Sequence, residues 1–186
     1  MDHLSPEWQG LVERGNRVSL LIVISMEEFI LREYREKDMP FVIRLLGESP
    51  ALTFYPPEKI AEHARIWLEE QITSYKTHGF GVWLLESAKG ESLGQCGLMM
   101  REIEERPRIE LGFSIRLMHR GKGWATRAGL SVIEWARQKG LRELTALTSP
   151  ENDPAQRVLR HCGFSLQGRT ERFGEQSLLY RRLLTD

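Results

Sequence analysis

From Leu111 to Ile133 the chain carries no acidic residue, yet it holds Arg116, Arg120, Lys122 and Arg127. Gly121 and Gly123 sit among those cations, where an alternating strand pattern gives way to a helical one. Glycine lets a backbone approach an anion closely, and a helix start presents free N–H groups and roughly half a positive charge. A strand, a glycine loop and a helix in that order therefore make a cradle for phosphate. A tight turn with permissive glycines and solvated cations would show the same residues. The P-loop spacing is absent, and the dinucleotide fingerprint fails because Thr126 stands where its third glycine belongs.

Metal and disulfide chemistry have less support. His3, His63, His78, His119 and His161 show no HxxxH spacing, and Cys96 and Cys162 lie far apart with no CxxC pairing. Neither a zinc ribbon nor a disulfide scaffold is expected, and a reducing cytoplasm fits. Lysine and arginine together number 26, as do aspartate and glutamate, so no global charge draws the chain to nucleic acid or an anionic membrane. An anion site must be local. The apolar run Ser19 to Ile24 is far shorter than the ~20 residues that span a bilayer. Its long polar lead-in and the lack of an A-x-A-like site argue against a signal peptide. That run is suited to packing on the domain or to covering a dimer surface. Met26 offers a second start, so residues 1–25 are expected to be an N-terminal extension of a domain over 26–186.

The elements that must position the glycine loop follow from periodicity. Phe29 to Tyr34 alternates like a strand, and Asp38 is placed to cap a helix from Pro40 to Leu46. Helical spacing recurs from Glu58 to Tyr75, ahead of a hairpin formed by Gly79–Glu86 and Ser92–Arg101. The clearest strand runs from Arg108 to Arg116, after a charged turn over Glu102–Pro107. A helix from about Gly123 to Lys139 has a small-residue inner face of Ala125, Ala128, Gly129, Val132, Ile133 and Ala136. Leu141–Thr148 reads as a strand. Asp153-Pro154-Ala155-Gln156 reads as a capping box, and a last hairpin turns around Phe173-Gly174. At 186 residues without repeats or linkers, this is one α/β domain.

The segment Arg120-Gly121-Lys122-Gly123-Trp124-Ala125 matches a family pattern: Gln or Arg, two residues of any type, Gly, any residue, then Gly or Ala. It resembles the acetyl-CoA pyrophosphate motif of the GNAT N-acetyltransferase superfamily. The wider run ELGFSIRLMHRGKGWATRAG is similar to the branch of the RimJ/RimL ribosomal-protein acetyltransferases. Gly94-Gln95-Cys96-Gly97-Leu98, and Pro150-Glu151-Asn152 through Gly163-Phe164, fall where that branch has comparable segments. The resemblance covers about residues 27 to 184.

It implies a single mixed, mostly antiparallel sheet with splayed central strands and helices on both faces. Acetyl-CoA would be the co-substrate, its pantetheine arm pairing with backbone around Phe113, Ser114 and Ile115. The amides of Gly121, Lys122, Gly123, Trp124 and Ala125 would hold the pyrophosphate, with Arg120 and Lys122 adding charge. Asn152 would hydrogen-bond the cofactor, although by itself it reads as a helix cap. Glu110 would be the general base toward the acceptor amine, acting through water, although a lone strand glutamate is more often solvated or ion-paired. The Ser and Tyr that family members use as proton donors are replaced by Ala155 and Leu159, leaving Ser149, Tyr180 or ordered water. Those replacements lend support to a rival reading, a non-catalytic acyl-CoA sensor or scaffold, against which Glu110 counts. A nucleotide-binding module is disfavoured by the missing phosphate fingerprints. The acceptor could be a protein N-terminus, an amino acid, a polyamine or an amine-bearing antibiotic. Its walls are expected in the Glu48–Pro57 loop with Phe54 and Tyr55, the following helix with Trp67, and the Glu171–Glu175 turn with Phe173.

Overall fold

The computed structural model describes residues 22–49, 56–172 and 174–184. The expectations placed on residues 1–21, on Phe54 and Tyr55 and on Phe173 lie outside the described residues. An eight-stranded sheet and four α-helices make up the described chain. In order these are β1 (Ile22–Ser25), β2 (Phe29–Arg32), α1 (Met39–Gly47), α2 (Pro57–His78), β3 (Val82–Ser87), β4 (Ser92–Ile103) and β5 (Arg106–Ile115). Then come α3 (Trp124–Gln138), β6 (Glu143–Thr148), α4 (Asp153–His161), β7 (Ser165–Arg172) and β8 (Glu175–Leu183). The sheet order is β1-β2-β3-β4-β5-β6-β8-β7, antiparallel throughout except between β5 and β6.

β1 pairs with β2, so the last four residues of the expected extension belong to the sheet. Val23 and Ile24 pack against the core, which accounts for their apolar character.

Side-chain alternation assigns the two faces of the sheet. Leu31, Trp83, Leu85, Cys96, Leu98, Leu111 and Ile115 form one core with Ala128, Val132, Ile133 and Ala136 of α3. The small residues at 128, 129 and 136 let α3 lie low on the strands. Gly129 also admits α4: a Cβ there would come within 3.0 Å of the Cys162 Sγ. On the opposite face Phe41, Val42, Leu45, Ala64 and Leu68 of α1 and α2 pack with Tyr34 and Leu84. Each such buried aliphatic side chain stabilises the fold by about 1.5–3 kcal/mol relative to exposure.

Several local expectations shift. Asp38 stands at the N-cap of α1, yet its carboxylate makes no cap bond. It accepts from Arg32 Nη1 (2.8 Å), Arg32 Nη2 (2.9 Å) and the Arg35 amide (2.8 Å), because a part-buried guanidinium outcompetes a helix N–H for it. The charged turn is tighter than expected, since Ile103 pairs with Arg106 around Glu104 and Glu105 at φ 54° and 58°. Asn152, not Asp153, caps α4, its Oδ1 accepting from the Ala155 amide at 3.2 Å.

Candidate active site

β5 is paired with β4 from Gly94↔Ile115 to Ile103↔Arg106, but with β6 only at Glu110↔Thr145. Thr145 clamps that junction by donating its hydroxyl to the Ile109 carbonyl at 3.1 Å. Beyond it the strands separate, opening a cleft of about 250 Å³ between Leu111–Phe113 and Ala146–Thr148. The Arg116 amide donates to the Leu93 carbonyl at 3.0 Å. The alternation of an antiparallel ladder then turns the backbone groups of Ser114 toward β4 and those of Phe113 and Ile115 toward the opening. The Ile115 carbonyl accepts from Arg120 Nε at 2.9 Å. Of the three residues expected to pair with an extended ligand, Phe113 thus offers the freest strand edge.

The glycine loop follows β5 after one 3₁₀ turn, Leu117–His119. Gly121 and Gly123 have φ of 75° and 76°, a left-handed conformation that strains any residue with a Cβ. No atom lies within 4 Å of a Cβ built at either position, so the loop is open to an approaching group. The Arg127 amide makes the first helical bond, to the Gly123 carbonyl at 3.1 Å. By helix geometry, the amides of Trp124 and Ala125 have no acceptor within α3. The Trp124 side chain is structural: it meets Phe29 edge-on at 6.3 Å and lies 4.1 Å beneath the Arg127 guanidinium.

The cations of this segment divide in two. Arg116 is paired with Glu48 through Nη2 at 2.6 Å, and Arg127 with Glu28. Arg127 also donates to the Lys122 carbonyl at 3.0 Å, bracing the loop from behind. Local sequence showed no acid here because both partners come from distant positions. Arg120 and Lys122 form no ion pair among the described residues, and both are exposed on the loop. This geometry suits a pyrophosphate: free amides at a helix start, an unobstructed glycine turn and two exposed cations that no salt bridge ties down among the described residues.

Glu110 is 3% exposed, sits at the junction itself and lines the cleft, with Arg101 Nε 3.9 Å from its Oε2. On its side of the sheet the lining continues through Trp67, Gln95 and Met99. Tyr34 donates to Gln95 Oε1 at 2.9 Å and meets Trp67 edge-on at 5.2 Å, so this wall is braced from behind. Across the opening, α4 contributes Asn152, Ala155 and Leu159. The Asn152 Oδ1 is engaged as a cap, while its amide nitrogen makes no bond among the described residues and remains a donor. Ser149 and Tyr180, considered as proton donors, do not line the cleft. Ser149 forms a local turn with Glu151, and Tyr180 is a 2% exposed core residue opposite Ala146. Two polar lining residues, Gln95 and Thr148, were not singled out as site residues, although Gln95 lies in one of the segments that carry the resemblance. Only their register on strands beside the opening identifies them.

A sheet that parts beside a glycine turn, with a buried carboxylate at the fork, offers an open strand edge and an anion cradle suited to an extended ligand that carries phosphate. The acetyltransferase (GNAT) domain family matches residues 28–165, and the chain belongs to that family. It is 26% identical to the Bacillus subtilis protein YkkB over 155 residues, 82% of this chain and 90% of the relative. A GNAT-family acetyltransferase structure from Bordetella pertussis superimposes with a TM-score of 0.73 at 18% identity, covering 86% of this chain and 98% of that one. The ribosomal L7/L12 α-N-protein acetyltransferase RimL in complex with coenzyme A gives 0.70 at 18% identity, over 87% and 97% of the two chains. The protein is therefore an acetyl-CoA-dependent N-acetyltransferase, and acetyl-CoA is its co-substrate. Among the described residues no helix is long and apolar enough to cross a membrane.

Proposed function

We propose that the protein acetylates an α-amine, of a polypeptide N-terminus or a small amino compound, in the manner of the RimJ/RimL branch. The observation that carries this is Glu110, the one acid among the described residues that line the cleft. A polyamine calls for several carboxylates along its length, and the lining offers one. An α-amine, with an ordinary pKa of about 7.8, is about one-seventh neutral at pH 7, whereas an alkylamine near 10.4 is almost wholly protonated. A single carboxylate is matched to the first. The sensor or scaffold reading is not favoured, since a carboxylate buried at the fork costs folding energy that mere binding would not require.

Acetyl-CoA supplies the acetyl thioester. Phe113 offers its backbone edge to the pantetheine arm, and the amides from Gly121 to Ala125, with Arg120 and Lys122, receive the pyrophosphate. Asn152 donates its free amide hydrogens to the bound arm. Glu110 accepts the proton that the amine sheds on attack, directly or through water. Turnover with peptides bearing a free N-terminus, N-terminally blocked peptides with lysine, and spermidine tests the acceptor. Acetylation confined to the free N-termini is expected, and preferential acetylation of spermidine would overturn the assignment.

The catalytic domain is proposed to occupy residues 26–186, with β1 as a removable edge. A chain beginning at Met26 is expected to bind acetyl-CoA with little change, at a stability cost of about 2 kcal/mol for exposing surface that Val23 and Ile24 cover. Loss of acetyl-CoA binding would make the segment integral to the site.

A further inference from the structure

We propose that Thr148 is the hydrogen-bond donor to the departing sulfur of coenzyme A. This rests on the reading of the cleft as the site of acetyl transfer. Among the described side chains lining that cleft, Thr148 alone carries a hydroxyl. It is the last residue of β6, on the same strand face as Leu144 and Ala146 and therefore toward α4. There it stands with Ala155 and Leu159, which can donate nothing. Its Oγ1 makes no hydrogen bond among the described residues, whereas the hydroxyl of Thr145, three residues earlier and on the opposite face of the same strand, is committed to Ile109. Ser149, the next residue, is committed to Glu151.

The step balances without an acid. The amine nitrogen forms a C–N bond to the acetyl carbon, and the C–S bond breaks with its electron pair passing to sulfur. The amine proton goes to Glu110. Thr148 keeps its own proton and directs it at the thiolate, which later takes a proton from water. A hydroxyl is far too weak an acid to protonate sulfur outright, but a hydrogen bond to a charged acceptor is among the stronger ones in proteins.

The bound thiolate reports this directly. Coenzyme A, complexed with the full-length protein, is titrated with pH while the thiolate's ultraviolet absorbance is followed. Cys162, pushed up to about 11 by burial, and Cys96, pushed higher still, stay protonated in the useful range. In Thr148→Val the midpoint for bound coenzyme A is expected to rise by about one pH unit or more, from the lost bond to charge. Thr148→Ser is expected to stay near wild type, and kcat is expected to fall about tenfold in Thr148→Val alone. Thr148→Ala repeats the test should the valine variant fold poorly. An unchanged midpoint in a hydroxyl-free variant that still binds coenzyme A overturns the assignment. Failure of every amine to be acetylated would instead overturn the transfer reading, and the thiolate titration would still judge Thr148.

Discussion

The two edges of β5 have opposite fates. Toward β4 the strand is paired along its whole length; toward β6 it is joined at Glu110↔Thr145 and then released. Unpaired strand edges invite association with any extended chain, and natural sheets usually cover them. This one is left open inside the domain, where a linear ligand can add to it like another strand. The closed edge is backed by two further locks. The Gln71 side chain accepts from the Val82 amide at 2.9 Å, and Tyr75 donates to the Val82 carbonyl, tying α2 to β3. Arg32 bridges Asp38 and Glu86, tying α1 to β2 and β3. One half of the sheet is therefore rigid so that the other can stand apart without collapsing. Substitutions on the open side should alter chemistry with little effect on stability, and those on the closed side the reverse.

The sharpest test lies at the fork. Replacing Glu110 with Gln keeps size and hydrogen bonding but removes the basic oxygen, and a general base contributes about 10²- to 10⁴-fold. The turnover rate should fall by that range, with acetyl-CoA affinity unchanged by calorimetry. Raising the pH should partly restore the variant, because more of the amine arrives neutral. Wild-type turnover across the pH range would remove Glu110 from the chemistry and leave it as a strand residue paired with Arg101.

On the closed side, Asp38→Asn removes one of the two carboxylates that pair with the part-buried Arg32 guanidinium and leaves Glu86 in place. The loss should be about 1.5–3 kcal/mol in denaturant unfolding, the contribution of hydrogen bonds to a charged group. Burial pushes the Asp38 carboxyl up, but Arg32 and the Arg35 amide outweigh it and hold the group below its ordinary range. Its contribution is therefore fully present above the unfolded value near 3.9 and is lost as pH falls through the lowered folded value. The stability gap between wild type and variant should narrow in that acid window. A constant gap would mean the carboxylate's charge is not what stabilises α1. Acetyl-CoA binding should be unaffected wherever both proteins are folded.

The contrast also explains how far the sequence could be read. Alternation along Ile109–Ile115 and the small inner face of α3 are local patterns, so strand, helix and glycine loop were legible. The fate of the cations was not, because Glu48 and Glu28 reach Arg116 and Arg127 only through the tertiary fold. Nor was the division between Phe113 and Ser114, which depends on which strand each backbone amide faces. Thr148 was invisible for the same reason: nothing in its neighbours marks a strand end beside an opening. Asn152 lines the cleft, and the helix-capping reading of that residue is also met, since one side-chain oxygen and one amide nitrogen can serve separate partners.

The smallest expected effect separates ligand contact from backbone strain. Gly123 and Gly140 bracket α3 with φ of 76° and 78°, and a Cβ at either would meet nothing within 4 Å. An alanine at each should therefore cost a similar amount of stability, about 1 kcal/mol, from the left-handed conformation alone. Only Gly123 lies on the loop beside Arg120 and Lys122, so only Gly123→Ala should weaken acetyl-CoA, through a methyl group placed where the pyrophosphate approaches. Comparing the two by thermal unfolding and calorimetry holds strain constant and varies location. Gly123→Val should weaken binding further, because a branched side chain fills more of that approach. Equal acetyl-CoA affinity in the two alanine variants would mean that the glycines serve the turn alone, and that the pyrophosphate is held elsewhere along the opened edge of β5.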